Sequence, residues 1–200
     1  KLHILKMPGK NNIEGYNFFN FGYFIGQTPH QLFEQLRTEC DKNISDDNVW
    51  VTGITGHNVP KHFEVKESRK FIQDYILELV KLYEKNYGKY YEENFKLTLG
   101  PCWINLHLKN EIIPLHNHQG VYSFVFWITL PNNVKNKEGN FQIVYTNTLG
   151  QICKDSILLN KDYEGKVIFF PAPFNHQVLA FNSDEKRISI AGNLHIKEEK

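Results

Sequence analysis

Cysteine is sparse and unpaired in this 200-residue chain: Cys40, Cys102 and Cys153 stand far apart, with no Cys-x-x-Cys. That excludes a disulfide framework and a thiolate zinc site, and it suits a reducing compartment. No uninterrupted apolar run approaches the roughly 18 residues of a spanning helix, and the first residues lack a charged-then-apolar secretion signal. The expectation is a soluble protein acting in the cytoplasm. An excess of one charge is also missing, since 23 basic residues face 22 acidic ones for a net charge of +1. Such a balance gives no overall field to recruit nucleic acid or an anionic membrane. Arginine is nearly absent, at Arg37, Arg69 and Arg187 alone. The placement of Arg187 is therefore less readily background. No internal repeat, low-complexity tract or linker divides the chain, so one domain is expected.

What the chain does have is aromatic and apolar mass. A hydrophobic fraction of 41% with 14% aromatics suits a globular, β-rich core or an aromatic-lined cleft. Residues 1–27 are rich in Asn, Gly and Phe, and Tyr16, Phe18, Phe19, Phe21, Tyr23 and Phe24 suggest an edge strand packed on a core. Thr28-Pro29-His30-Gln31 reads as a helix start, with a capping threonine, proline first and glutamine three residues after the cap. Leu32, Phe33, Leu36 and Cys40 then form a buried stripe. The stretch from Asp41 to His62 reads as loop. A longer helix is expected from about Glu67 to Tyr87, with Ile72, Ile76, Leu79 and Tyr83 at helical spacing and Gly88 ending it.

From Lys96 the periodicity changes to short strands, at approximately 96–108, 112–118, 121–130, 140–146, 151–159, 166–171, 175–181 and 186–196. Eight strands in this pattern imply a sandwich or jelly roll.

Within that region the informative feature is a spacing. His116-Asn-His118 is followed 58 residues later by His176, and 11 residues after that by Arg187-Ile-Ser189. Residues two apart on an extended strand point the same way, so two imidazoles can face one metal ion and a third from another strand can close the set. Arg187 and Ser189 would likewise put a forked cation and a hydroxyl on one strand face, a grip for the far carboxylate of a small diacid. A bare His-x-His is as readily a pair of surface histidines at a strand end. His176 gains weight from its setting, because Gly165 starts an apolar strand that ends at Pro171 just before the imidazole. His3, His30, His57, His62 and His195 lack such a setting and read as ordinary surface or core residues.

Taken together, His116-Asn-His-Gln-Gly with Ser123, the Gly165…Phe170-Pro171…His176 segment and Glu185-Lys-Arg-Ile-Ser-Ile-Ala-Gly-Asn193 resemble the Fe(II)- and 2-oxoglutarate-dependent oxygenases, in particular those of marine bacteria and their phages. The motifs cover about residues 101–196. The resemblance implies a mostly β fold, a double-stranded β-helix (jelly roll) over 96–197 with N-terminal supporting helices in 1–95, an α+β arrangement within one domain. It implies that His116, His118 and His176 bind Fe(II). Arg187 would receive the distal carboxylate of the cosubstrate 2-oxoglutarate, with Ser189 adding a hydrogen bond. Asn105 and His107, eleven and nine residues before His116, would be further cosubstrate contacts, although a strand alternating polar and apolar residues accounts for them equally well. The implied reaction uses dioxygen to hydroxylate a small-molecule or peptide substrate and releases succinate and carbon dioxide. A phage-encoded enzyme would act in the host cytoplasm.

One departure stands out. Most of the superfamily has Asp or Glu where this chain has His118, because two imidazoles and a carboxylate leave adjacent sites on iron for the keto acid and dioxygen. An all-histidine face still suits Fe(II) but carries one negative charge fewer. Three other readings fit parts of the pattern, one of them zinc hydrolysis at a three-histidine site. A cupin-like dioxygenase shares the three histidines but has no need of Arg187-x-Ser189, and a jelly roll without catalysis would hold a structural metal or none.

Overall fold

The computed structural model of the chain describes residues 2–5, 13–16, 22–45, 49, 58–91, 95–132, 134 and 138–197. Phe18, Phe19 and Phe21 of the N-terminal aromatic cluster lie outside them. In chain order the elements are β1 Leu2–Leu5, β2 Ile13–Tyr16, β3 Phe24–Gln27, α1 His30–Asn43, β4 Lys61–Glu64 and α2 Arg69–Tyr87. They continue with β5 Leu97–His107, β6 Ile113–His116, β7 Tyr122–Thr129, β8 Phe141–Thr146, β9 Ile152–Ile157, β10 Lys166–Pro171, β11 Asn175–Val178 and β12 Arg187–Ile196. All eight strands expected after Lys96 form.

They divide into two antiparallel sheets: a six-stranded sheet in the order β3-β10-β7-β12-β5-β4 and a four-stranded sheet in the order β6-β11-β8-β9. The strands after Lys96 contribute four to each sheet, which is the jelly roll. Strands β3 and β4 extend the larger sheet at its two edges; β3 pairs with β10 and contains only Phe24 of the aromatic cluster expected to form an edge strand.

Two apolar clusters follow from the period-2 alternation of these strands. Ile104, Phe124, Phe126, Phe169, Ile188 and Ile190 point to one face of the large sheet and pack with the helices. The helices present Leu32, Leu36 and Cys40 from α1 and Ile72, Ile76, Val80 and Tyr83 from α2. Val125, Trp127, Ile168, Phe170 and Ala191 point to the other face and meet Phe141, Ile143 and Val178 of the smaller sheet. Burying a large side chain of this kind is worth about 1.5–3 kcal/mol, so both clusters hold the sheets in place.

The helix starts differ from the sequence expectation. Thr28 does not cap α1: Pro29 holds the cap position without a side-chain hydrogen bond, and the buried Thr28 hydroxyl has no partner among the described residues. Its backbone instead donates to Gly165, tying α1 to the start of β10. Helix α2 is capped from a distance. The buried Glu39 carboxylate on α1 accepts from the backbone N–H groups of Lys66, Glu67 and Ser68. Burial acts to raise the Glu39 carboxyl, but hydrogen bonds from Ser68, Lys66 and Glu67 outweigh it and hold the group below its usual range. The segment read as loop is shorter than expected, because α1 runs on to Asn43 and β4 begins at Lys61.

Candidate active site

The smaller sheet brings the histidines together by register. On β6 and β11, His116 and His176 are directly opposite one another, and such pairs carry Cβ atoms about 4.5–5.5 Å apart. Strand β6 ends at His116, earlier than the sequence suggested, so His118 lies just beyond it. The backbone N–H of His118 donates to the Ala172 carbonyl at 3.0 Å, which keeps the residue beside its partners. Asn117, between the two histidines, donates to Asn175 next to His176 at 3.2 Å. The ligand nitrogens of His116, His118 and His176 all lie within 4.8 Å of one another.

The hydrogen bonds determine which nitrogen is available. His116 Nδ1 is 2.8 Å from the Pro114 carbonyl and His176 Nδ1 is 2.9 Å from the Phe174 carbonyl. A carbonyl only accepts, so each Nδ1 carries the proton and each Nε2 keeps its lone pair. Burial lowers all three imidazoles, His118 to about 4 and His176 to about 3, with His116 adding to both. They are neutral near pH 7, the state that binds a metal ion. Among the described residues this is the one His, Cys, Asp and Glu cluster able to hold a metal.

Strands β5 and β12 build the second half. Their register pairs His107 with Arg187 and Asn105 with Ser189. All four are buried and line the same cavity of about 560 Å³ as the histidines. Arg187 is 1% exposed. One end of its guanidinium is fixed: Nη2 donates to the Gly139 carbonyl at 2.7 Å, and Cζ sits 4.8 Å over the Phe181 ring. Among the described residues, Nε and Nη1 have no partner. Desolvation lowers its pKa to about 10, which leaves it charged near neutral pH. A planar cation with two open, buried donors is complementary to a carboxylate. Around it, Asn105 donates to Ser189 at 3.2 Å, and among the described residues Asn105 Oδ1 and both ring nitrogens of His107 have no partner. Burial, then Arg187 and His62, push His107 well below the usual histidine range.

All seven residues singled out from sequence therefore line one cavity. Sequence reasoning misjudged two others and missed one. His62, read as ordinary, sits on β4 opposite Asn105, is 4% exposed and lines the cavity, with burial lowering it to about 4 although a side-chain hydrogen bond with Asn105 acts to raise it. His195, on the same face of β12, also lines it. Gly139 went unnoticed. Its φ of +63° favours glycine, and a Cβ there would lie 2.2 Å from Arg187 Nη2, so the turn before β8 must lack a side chain to reach the guanidinium. The Glu138-Gly139-Asn140 turn signal was present, but nothing local connected it to a residue 48 positions away.

Residues 101–193 match the model of the family described as "Putative 2OG-Fe(II) oxygenase". No curated protein matches the sequence. Solved structures with the same fold include a Pseudomonas putida prolyl-4-hydroxylase, with 13% identity, 88% of this chain and 94% of that chain covered, and a TM-score of 0.64. HygX from Streptomyces hygroscopicus, solved with nickel, 2-oxoglutarate and hygromycin B, has 11% identity over 88% of this chain and 83% of its own, with a TM-score of 0.61. The viral collagen prolyl hydroxylase of Paramecium Bursaria Chlorella virus-1, in complex with 2OG, has 12% identity over 88% and 96%, with a TM-score of 0.55. In sequence over residues 101–193, and in fold over most of its length, the chain resembles the 2OG-Fe(II) oxygenases.

Proposed function

We propose that the protein is an Fe(II)- and 2-oxoglutarate-dependent oxygenase that hydroxylates a small-molecule or peptide substrate and releases succinate and carbon dioxide. The observation that carries this reading is the pair of unpartnered donors on buried Arg187, in a cavity that also contains a triad of neutral imidazoles. An open buried cation is costly, and a carboxylate offsets that cost with two parallel hydrogen bonds.

In this reading His116, His118 and His176 hold the iron, and Arg187 with Ser189 receives the distal carboxylate of the keto acid. Asn105 orients the Ser189 hydroxyl, and His107 offers a further ring nitrogen beside the guanidinium. Bound iron would supply the activation of dioxygen that couples decarboxylation of the keto acid to substrate hydroxylation. The chain orients the partners, and the Trp127, Phe141 and Phe170 walls exclude water. With three neutral ligands the metal and a 2-oxoglutarate dianion sum to zero charge, where a carboxylate-bearing site would be negative by one.

Anaerobic addition of 2-oxoglutarate to the Fe(II)-loaded protein tests this. A visible charge-transfer band, followed by succinate formation on admitting air, is the expected result. Tight metal binding with no band and no affinity for 2-oxoglutarate would instead favour a jelly roll that holds a metal without this chemistry.

A further inference from the structure

The stripe of β12 that begins with Arg187 and Ser189 continues along the cavity to Ala191 and Asn193. Arg187 and Asn193 are six residues apart, or about 20 Å along an extended strand. That leaves a far end beyond the reach of the carboxylate grip. Two features distinguish it. Asn193 is 8% exposed and pairs in register with Ser123, which is 2% exposed. The Ser123 hydroxyl donates to Asn193 Oδ1 at 2.6 Å, so the Asn193 amide is held with its N–H groups unpaired among the described residues. Nearby, Trp103 pairs in register with the small Ala191 and meets His118 edge-on at 5.6 Å between ring centroids. An aromatic wall therefore stands beside the metal cluster.

The second feature is what the cavity lacks. Arg187 is the sole Asp, Glu, Lys or Arg among the described residues that line it. A charged group brought into the far end would give up its hydration without gaining a counter-ion.

We propose that this end receives an uncharged group of amide or carbonyl type, whose apolar part packs on Trp103 and whose oxygen accepts from Asn193. The assignment rests on the oxygenase reading in calling this group the substrate's. Asn193 then sets specificity by donating, and Ser123 is a positioning residue that holds the Asn193 amide in that orientation.

Three probes with one ring and different heads test it: cyclohexanecarboxamide, cyclohexanecarboxylate and cyclohexylmethylammonium. Each is titrated into the full chain loaded with Co(II) and N-oxalylglycine, a non-reacting analogue of 2-oxoglutarate, and binding is read by saturation-transfer NMR. The amide should bind about tenfold more tightly than either charged probe, the scale of one lost hydrogen bond or one uncompensated charge. Asn193→Ala should remove about that factor for the amide, and Ser123→Ala a smaller part of it. Should Asn193→Ala fail to fold, Asn193→Asp keeps the shape, replaces donors by acceptors and should turn the preference to the ammonium probe. Equal or tighter binding of a charged probe, no saturable amide binding, or amide affinity indifferent to Asn193 would each overturn the proposal. N-oxalylglycine affinity in the same samples reports separately on the oxygenase reading. Its absence with amide binding intact would refute that reading and leave the amide site standing.

Discussion

The two faces of the six-stranded sheet use the same strands for opposite ends. Toward the helices, alternate residues of β5, β7 and β12 are Ile104, Phe124, Phe126, Ile188 and Ile190, all buried and all apolar. Toward the cavity, the intervening positions include the apolar Trp103, Val125, Trp127 and Ala191 but also the buried polar Asn105, His107, Ser123, Arg187, Ser189 and Asn193. Unpartnered atoms on Asn105, His107 and Arg187 fall on this second face. The difference teaches that the helix face supplies stability which the cavity face gives up. A buried polar group without a partner costs free energy, and a ligand that supplies the missing bonds returns it.

The largest effect expected from breaking this division lies on the apolar face. Phe126, fully buried and 6.1 Å from the Tyr75 ring, should cost about 3–5 kcal/mol on replacement by alanine. Denaturant unfolding measures it. The folded fraction should keep its affinity for metal, and a loss of metal affinity in Phe126→Ala would mean that the two faces are not separable.

Next comes the cavity face. Arg187→Lys keeps the charge and loses the planar fork, so 2-oxoglutarate affinity should fall by about 2–3 kcal/mol, roughly 30- to 150-fold, with metal affinity nearly unchanged. Calorimetric titration of both ligands distinguishes this from a structural role, in which both affinities would drop together. In Arg187→Met the apo protein should become more stable, because burial has already lowered the guanidinium to about 10 and removing it relieves that cost. A less stable Arg187→Met protein would show that the Gly139 and Phe181 contacts outweigh desolvation.

His62 sharpens the comparison through pH. Its pKa is about 4 in the fold and about 6.5 when unfolded, so the unfolded chain binds more protons between these values. Stability should therefore fall as pH drops from about 6.5 toward 4, by about 3 kcal/mol for this group. Unfolding of His62→Asn across that window should show a shallower decline, and an unchanged slope would remove His62 as a contributor.

The smallest effect is expected where one ligand chemistry replaces another. His118→Asp should retain metal and 2-oxoglutarate within about tenfold, since a carboxylate beside two imidazoles is itself an iron-binding set. His118→Ala should bind metal distinctly more weakly. Iron binding and 2-oxoglutarate turnover in His118→Ala equal to those of the parent would make His118 a bystander.

The strands and the long helix were legible because each rests on a local period: two along β5, β7, β10 and β12, and the stripe Ile72, Ile76 and Tyr83 along α2. The metal candidates were legible because His116 and His118 are neighbours in sequence and His176 follows a recognisable glycine-to-proline strand. Glu39 was not, since its role is to cap a helix almost thirty residues away. Nor was His62, whose strand of four residues carries too weak an alternation to reveal which side faces inward.

By itself the sequence determined the identity and order of the strands, the residue types able to bind a metal and a carboxylate, and the alternation that separates polar from apolar positions. Those are properties of neighbouring residues. Only the tertiary structure decided that His116 stands opposite His176, that Arg187 is held by Gly139 with two donors left open, and that both groups share one cavity. Register between distant strands is set by how whole faces bury against each other, and a slip of one residue would turn each of these side chains to the opposite face.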